Sequence, residues 1–454
     1  MRGNLIFVFK DNKHEVEGDQ VLRKDAAFLF CFLLIFGALQ LSMLYKVSAD
    51  DNLTPIEMLG KQLFFDINLS TPTGQACAAC HDPATGFVGP DSDINAHGGA
   101  YEGAVDTRFG NRHPPTAAYA GDSPVLYYNE TFDQWIGGMF FDGHAPGWKL
   151  GDPLAEQAQA PFLNPLEMNN QNPDAVVEKV RFSSYANFFE EVWGEESLND
   201  VDSAYDKIAL SIAAYERSSE VNPFTSKYDA YLNGETQLTE TEALGLELFN
   251  GQAGCANCHS SQLGASGEHP LFTDFSYSNL GIPKNPENPF YSMSAEWNPD
   301  GANFTDLGLG GFLKNASYPA EVYELQLGKE KVPTMRNVDL RPNSEFVKSY
   351  GHNGYFKSLE DIVHFYNTRD VEDWPNPEVS VNVDKMSMGN LGLTPYEETA
   401  VVAFLKTLSD GYSAESATSF IPLVVVGVFI VVLSISIALV VLKKHKSAHR
   451  PNVE

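Results

Sequence analysis

The pentapeptide Cys-x-x-Cys-His occurs twice, as Cys77-Ala78-Ala79-Cys80-His81 and as Cys255-Ala256-Asn257-Cys258-His259, and it restricts the folds open to this chain more than any other feature. Two thiols at this spacing reach both vinyl groups of one porphyrin, and a His directly after the second thiol brings its imidazole to the iron from the same side. A zinc site built on closely spaced cysteines has no need of that His. The motifs use four of the five cysteines, and the fifth, Cys31, lies in an apolar N-terminal stretch, so no pair remains for a structural disulfide. The expectation is two covalently bound c-type haems, with Cys77, Cys80, Cys255 and Cys258 as attachment points and His81 and His259 as proximal iron ligands.

A matching segment precedes each motif. Gly60-Lys61-Gln62-Leu63-Phe64 and Gly245-Leu246-Glu247-Leu248-Phe249 both read Gly-x-x-Leu-Phe, and each follows a helix-start signal, Thr54-Pro55 with Glu57 and Thr239-Glu240-Thr241-Glu242. Amphipathic stretches at Asp206–Ser219 and Pro395–Leu408 predict a closing helix for each copy. The Pro- and Gly-containing segment Asn222–Glu235 reads as a linker. Between the helices the chain is rich in Gly and Pro, above all over Gly281–Gly311, as loops wrapped around a cofactor would be. A length of 454 residues allows two to three domains. The predicted fold is mainly α, with two cytochrome c-like domains at residues 50–235 and 236–412 and long loops between their helices.

Both ends read as membrane-directed. Residues 26–44 are apolar behind Arg2, Lys10, Lys13, Arg23 and Lys24, and Val47-Ser48-Ala49 has the small residues of a cleavage site, so residues 1–49 read as a signal peptide or an uncleaved signal anchor. Residues 419–442 carry no charge over a length suited to a transmembrane helix, and Lys443, Lys444, Lys446 and Arg450 mark residues 443–454 as a cytoplasmic tail. The expected location is the inner membrane, with the haem domains in the periplasm. Sixty acidic residues against 30 basic ones give a net charge of −30, which excludes nucleic acid as a partner. A basic electron-transfer protein would be attracted by the same field.

Several further motifs fall in a fixed order: Arg112-His113-Pro114-Pro115-Thr116, Phe140-Phe141-Asp142-Gly143-His144, Glu156-Gln157-Ala158, Asn164-Pro165-Leu166-Glu167-Met168, Lys331-Val332-Pro333-Thr334-Met335-Arg336-Asn337-Val338 and Gly351-His352-Asn353-Gly354. Together they resemble the bacterial di-haem cytochrome c peroxidase family and its MauG-type relatives over nearly all of residues 51–412. The resemblance implies that peroxide reacts at the N-terminal haem while the C-terminal haem receives and relays electrons. It also implies Glu167 as the distal acid/base and Gln157 as its hydrogen-bonding partner. Glu167 sits in an apolar, proline-bounded run, Pro161–Leu166, that would be odd on a surface.

Sixth ligands divide the branches of the family. The resemblance implies His97 as the group that closes the N-terminal haem in peroxidases, whereas MauG-type relatives leave that position open. For the C-terminal haem it implies the residue fourteen positions after His352, which is Tyr366 as in MauG-type enzymes, with Met386 and Met388 as thioether alternatives. The pattern is broken at Phe141, where the family has Trp, and at His144, where it has Arg; Trp135 and Trp148 are candidate replacements for the lost Trp. The interdomain calcium of the family uses an Asn where this chain has His113, so calcium is doubtful here, although carbonyls near Val347 and Ser349 remain. Three functions follow: reduction of hydrogen peroxide with electrons from a small donor cytochrome or other exported redox protein, oxidation of a Trp or Tyr on a partner protein, and non-catalytic electron carriage.

Overall fold

Thr54, Thr239 and Thr394 start helices by one device, in which the carboxylates of Glu57, Glu242 and Glu397 accept from the threonine backbone N–H at 2.6, 2.7 and 2.7 Å. This satisfies a donor that a helix start otherwise leaves unpaired. The computed structural model describes residues 53–413. Its longer helices are α1 (Pro55–Phe64), α2 (Pro153–Leu163), α3 (Pro173–Arg181), α4 (Ala186–Trp193), α5 (Val201–Glu216), α6 (Glu240–Asn250), α7 (Gly308–Asn315), α8 (Leu359–Thr368) and α9 (Pro395–Lys406). Strand β1 (Tyr127–Asn129) pairs antiparallel with β2 (Gln134–Ile136), and β3 (Tyr277–Ser278) pairs antiparallel with β4 (Glu330–Lys331). The protein is thus mainly helical with few strands.

The repeated Gly-x-x-Leu-Phe explains how each half is closed. Helix α1 packs on α5, and α6 on α9. A Cβ on Gly60 would stand 1.8 Å from the Ser211 carbonyl oxygen, and one on Gly245 1.9 Å from that of Ala400. Only glycine lets the two backbones approach so closely. The Phe of each motif then meets an aromatic ring of the closing helix, Phe64 against Tyr215 at 5.4 Å and Phe249 against Phe404 at 5.1 Å between centroids. Two hydrophobic cores result, one drawn from Leu59 to Val221 and one from Tyr228 to Leu408, with Cys77 packed on the first and Cys255 on the second. A third, smaller cluster holds Leu126, Trp135, Tyr277, Leu309 and Leu313.

Several expectations change. The first closing helix begins at Val201, earlier than its amphipathic stretch suggests, because Asp200 caps it by accepting from the Ser203 N–H. The segment expected to be a linker contains a further helix, Lys227–Leu232, opened by a Ser226/Asp229 capping box, with Tyr228 and Asp229 buried. The expectation of a transmembrane helix in this fold, and with it that of a chain anchored in the inner membrane, is corrected. Among the described residues no helix is long and apolar enough to cross a membrane. Even α5, with 16 residues, is about 24 Å long at 1.5 Å per residue, short of a hydrocarbon core of roughly 30 Å, and it carries Asp202, Asp206, Lys207 and Glu216. Residues 419–442 and the N-terminal apolar segment, on which those expectations fell, lie outside the described residues.

Candidate active site

Each Cys-x-x-Cys-His segment folds as a short 3-10 turn, Cys77–Ala79 and Cys255–Asn257, in which the His backbone N–H reaches back to the first Cys carbonyl, at 3.0 Å for His81 and 2.9 Å for His259. The two pairs sit in different cores, so they do not combine into one zinc site. Burial holds all four thiols above the ordinary cysteine range. In both turns the imidazole Nδ1 is tied to a phenylalanine carbonyl: His81 to Phe87 at 3.1 Å and His259 to Phe272 at 2.7 Å. An Nδ1–H donated to a carbonyl leaves Nε2 as the lone-pair nitrogen, the state that ligates iron. Both phenylalanines have left-handed backbones, at φ 59° and 54°, which is what turns their carbonyls toward the rings. Nothing in the sequence marks these two residues, since they follow their histidines by different distances.

The second carbonyl is itself held in place. Three consecutive carbonyls, those of Pro270, Leu271 and Phe272, accept from Arg336 Nε at 2.7 Å, Thr334 Oγ1 at 2.6 Å and His259 Nδ1 at 2.7 Å. Arg336 is fully buried and pairs with Asp229 through Nη1 at 3.0 Å and Nη2 at 2.9 Å. Its guanidinium carbon lies 4.5 Å from the Phe224 ring centroid and 4.9 Å from that of Tyr119. The motif Pro333-Thr334-Met335-Arg336 therefore serves as a clamp on the loop that orients His259.

Beside His259 lies a largely apolar cavity of about 250 Å³, whose wall includes Cys255, Cys258, Tyr366 and Met388. The donor set, two thiols and an imidazole on one wall of an apolar space, fits a covalently held haem. Burial, reinforced by the charges of Cys255 and Cys258, pushes the Tyr366 phenol above its usual range. Met388 is buried, whereas Met386 is 95% exposed and faces away. Phe141 and His352 line the same cavity, with ring centroids 6.5 Å apart.

On the other side, Glu167 follows α2 in a turn closed by its N–H on the Asn164 carbonyl at 3.0 Å. Burial raises its carboxyl above the ordinary range, against the opposing effects of the Asn164 side chain and the His144 charge, and its charge is felt by both Cys77 and Cys80. Gln157, on α2, is half-buried, and no hydrogen bond joins it to Glu167. His97 is not brought to either site: its side chain is 69% exposed and its Nδ1 lies 2.9 Å from the Asp93 carbonyl. His144, where the family has Arg, stacks on Phe140 at 3.9 Å and bonds Asp142 at 2.5 Å. The guanidinium on Asp142 comes instead from Arg112, which contacts it at 2.9 Å and clamps Asp306 at 2.6 and 2.7 Å.

The residues around His113 do not fit calcium. His113 Nδ1 bonds the Ser349 hydroxyl at 2.9 Å, and burial with the nearby charges of Lys348 and Lys357 pulls its pKa down to about 3. Lys348 Nζ is the buried cation there, donating to the carbonyls of Thr85, Asn337 and Leu340, and the Val347 carbonyl is taken by Asn95.

A helical protein that gives each of two haem-attachment turns a core of its own is a di-haem c-type cytochrome. Comparison with known proteins agrees: residues 55–237 match the family described as di-haem cytochrome c peroxidase. The chain is 34% identical over 376 residues to the methylamine utilization protein MauG of Paracoccus denitrificans (strain Pd 1222), covering 80% of this chain and 89% of that one. It is 28% identical over 371 residues to the cytochrome-c peroxidase IdrP1 of Pseudomonas sp. (strain SCT), covering 77% and 80%. Among solved structures it is similar to the diheme peroxidase BthA of Burkholderia thailandensis E264, at TM-score 0.65 and 28% identity, over 80% of this chain and 90% of that one. The chain belongs to the di-haem cytochrome c peroxidase family. It is an oxidoreductase that carries two c-type haems.

Proposed function

We propose that the chain reduces hydrogen peroxide to water at a haem held by Cys77, Cys80 and His81, with electrons delivered through a second haem held by Cys255, Cys258 and His259. When bound, the haems supply the iron and the redox equivalents that split the O–O bond. Glu167 carries this reading, because it is a half-buried carboxyl electrostatically coupled to the first attachment turn. A pure electron carrier needs no such group. Its raised pKa brings it nearer to working pH, so it can take the proton from the inner peroxide oxygen and return it to the outer one. Gln157 lies ten positions earlier and supports peroxide by hydrogen bonding. His97, with its side chain exposed, would not serve as a ligand to a haem held at His81. Electrons come from a small donor cytochrome or another redox protein. Glu167→Gln in the haem-loaded protein is expected to lower peroxide turnover by about 10²–10⁴-fold with the absorption spectrum unchanged; undiminished turnover overturns the assignment.

A second reading, oxidation of a Trp or Tyr on a partner protein, is favoured by Tyr366, which lines the His259 cavity as a partly buried phenol. A phenolate ligand stabilises ferric iron and so favours storage of oxidising equivalents over simple relay. Tyr366→Phe then alters the low-spin signal of the second haem, whereas a Met388 ligand leaves it unchanged.

A further inference from the structure

The turn that carries Glu167 is built on Asn164, whose carbonyl accepts from the N–H groups of both Glu167 and Asn169, at 3.0 and 2.9 Å. Against this turn lies the loop 102–109. Its neck is closed by an antiparallel bridge between Glu102 and Phe109 and by the Gly103 N–H on the Arg108 carbonyl at 2.7 Å. From this loop the Ala104 N–H donates to the Glu167 carbonyl at 2.7 Å. The two backbones are in contact: a Cβ on Gly103 would stand 2.3 Å from the Leu166 carbonyl oxygen and 2.8 Å from that of Glu167. The same loop is tied to the first attachment turn, because Gln75 Nε2 donates to the Glu102 carbonyl at 3.1 Å and lies 3.9 Å from Cys80 Sγ.

Arg108, at the far end of the loop, holds the turn on both sides. Its Nη1 donates to the Pro165 carbonyl at 3.2 Å and to Asn169 Oδ1 at 3.0 Å. One acceptor precedes Glu167 and the other follows it, so the two bonds bracket it. Asn169 is itself fixed: its backbone is left-handed at φ 55°, and its Nδ2 donates to the Thr71 carbonyl at 2.7 Å. The guanidinium is held from the other half of the chain, where its central carbon lies 4.0 Å from the centroid of the Trp297 ring. Next to Trp297, Asn298 is buried and donates to the carbonyls of Phe290 and Gly301 at 2.9 and 3.0 Å, which keeps that loop in place. A planar guanidinium over an indole keeps its donors aimed, as an ammonium on a flexible stem does not.

We infer that Arg108 is a positioning residue for Glu167, and that Trp297 holds Arg108 in place for this task. The inference rests on the reading of Glu167 as the acid/base of peroxide reduction. Arg108 itself moves no proton. A carboxyl that takes a proton from one peroxide oxygen and returns it to the other must stay within hydrogen-bond reach of both, and a displacement of about 1 Å costs up to about 10²-fold in rate. Both acceptors of Arg108 on the turn are neutral, so what it supplies there is geometry. Its removal frees the turn on two sides and leaves the Asn164 and Ala104 bonds that keep the turn folded.

The test uses haem-loaded protein turning over hydrogen peroxide, with ascorbate and a phenylenediamine mediator as reductant. Arg108→Met is expected to lower kcat about tenfold, and Trp297→Leu about threefold. In a Glu167→Gln background Arg108→Met causes no further loss, because Arg108 acts through that carboxyl; a merely structural role costs the same factor in both backgrounds. A second readout is amide hydrogen exchange of the peptide spanning residues 161–170, which quickens in Arg108→Met and in Trp297→Leu while the absorption spectrum stays unchanged. If Arg108→Met does not retain its haems, Trp297→Leu carries the same pair of measurements, since it leaves both hydrogen-bonding partners in place. Wild-type turnover, unchanged exchange, or an equal loss in both backgrounds overturns the inference and leaves the Glu167 reading standing. Undiminished turnover in Glu167→Gln alone overturns both.

Discussion

Replacement of Arg336 by Met isolates what the clamp on the His259 loop contributes. The guanidinium makes three charge-assisted hydrogen bonds, two to Asp229 at 3.0 and 2.9 Å and one to the Pro270 carbonyl at 2.7 Å. Removing one partner of a buried ion pair strands the other charge, at a cost of about 3–5 kcal/mol. Loss of the desolvated contacts to Phe224 and Tyr119 adds about 1–2 kcal/mol. Against this, Asp229 keeps His269 Nδ1 at 2.6 Å and the Ser226 hydroxyl at 2.6 Å, so part of the penalty is recovered. The expected net loss is about 4 kcal/mol, read as a lower urea midpoint of the haem-loaded protein. The double variant Arg336→Met with Asp229→Asn removes both charges and restores part of that loss, which separates the stranded charge from lost packing. Because Arg336 also fixes the segment whose Phe272 carbonyl receives the His259 N–H, the reduction potential of the second haem shifts while that of the first does not. A destabilisation below about 1 kcal/mol, the size of one ordinary hydrogen bond, with both potentials unchanged, refutes the reasoning.

Glu216 is buried with Oε2 unpaired, and desolvation lifts its pKa from 4.5 to about 8. A carboxyl raised in the folded state contributes stability that is full below 4.5 and lost as pH rises toward 8, up to about 5 kcal/mol at 1.36 kcal/mol per unit; Glu216→Gln should flatten that decline in urea titrations between pH 5 and 9, and an unchanged slope counts against it. Gly245→Ala drives a methyl onto the Ala400 carbonyl and is expected to cost about 1–3 kcal/mol, with a lowered Tm; a neutral outcome means that α6 and α9 are not in backbone contact. If Glu167 acts as the base, kcat/KM for peroxide falls on the acid side through a pKa above the ordinary carboxylate range, and Glu167→Gln removes that limb.

What the sequence determined by itself was local. The capping boxes at Thr54, Thr239 and Thr394 and the turns of the two Cys-x-x-Cys-His segments close within four residues, so they were legible without knowledge of anything else. The two glycines of Gly-x-x-Leu-Phe were visible as a repeat, but their reason, contact with the backbones at Ser211 and Ala400, was not. Tertiary structure alone decided which carbonyls take the imidazole N–H groups, Phe87 and Phe272, because each depends on one left-handed residue whose setting comes from the surrounding loop. It likewise turned an expected linker into the anchor of Arg336, set His97 in solvent, and gave the calcium position to Lys348. The Arg336 anchor and the Lys348 site join residues more than a hundred positions apart, and such geometry is a product of packing, which no local pattern encodes.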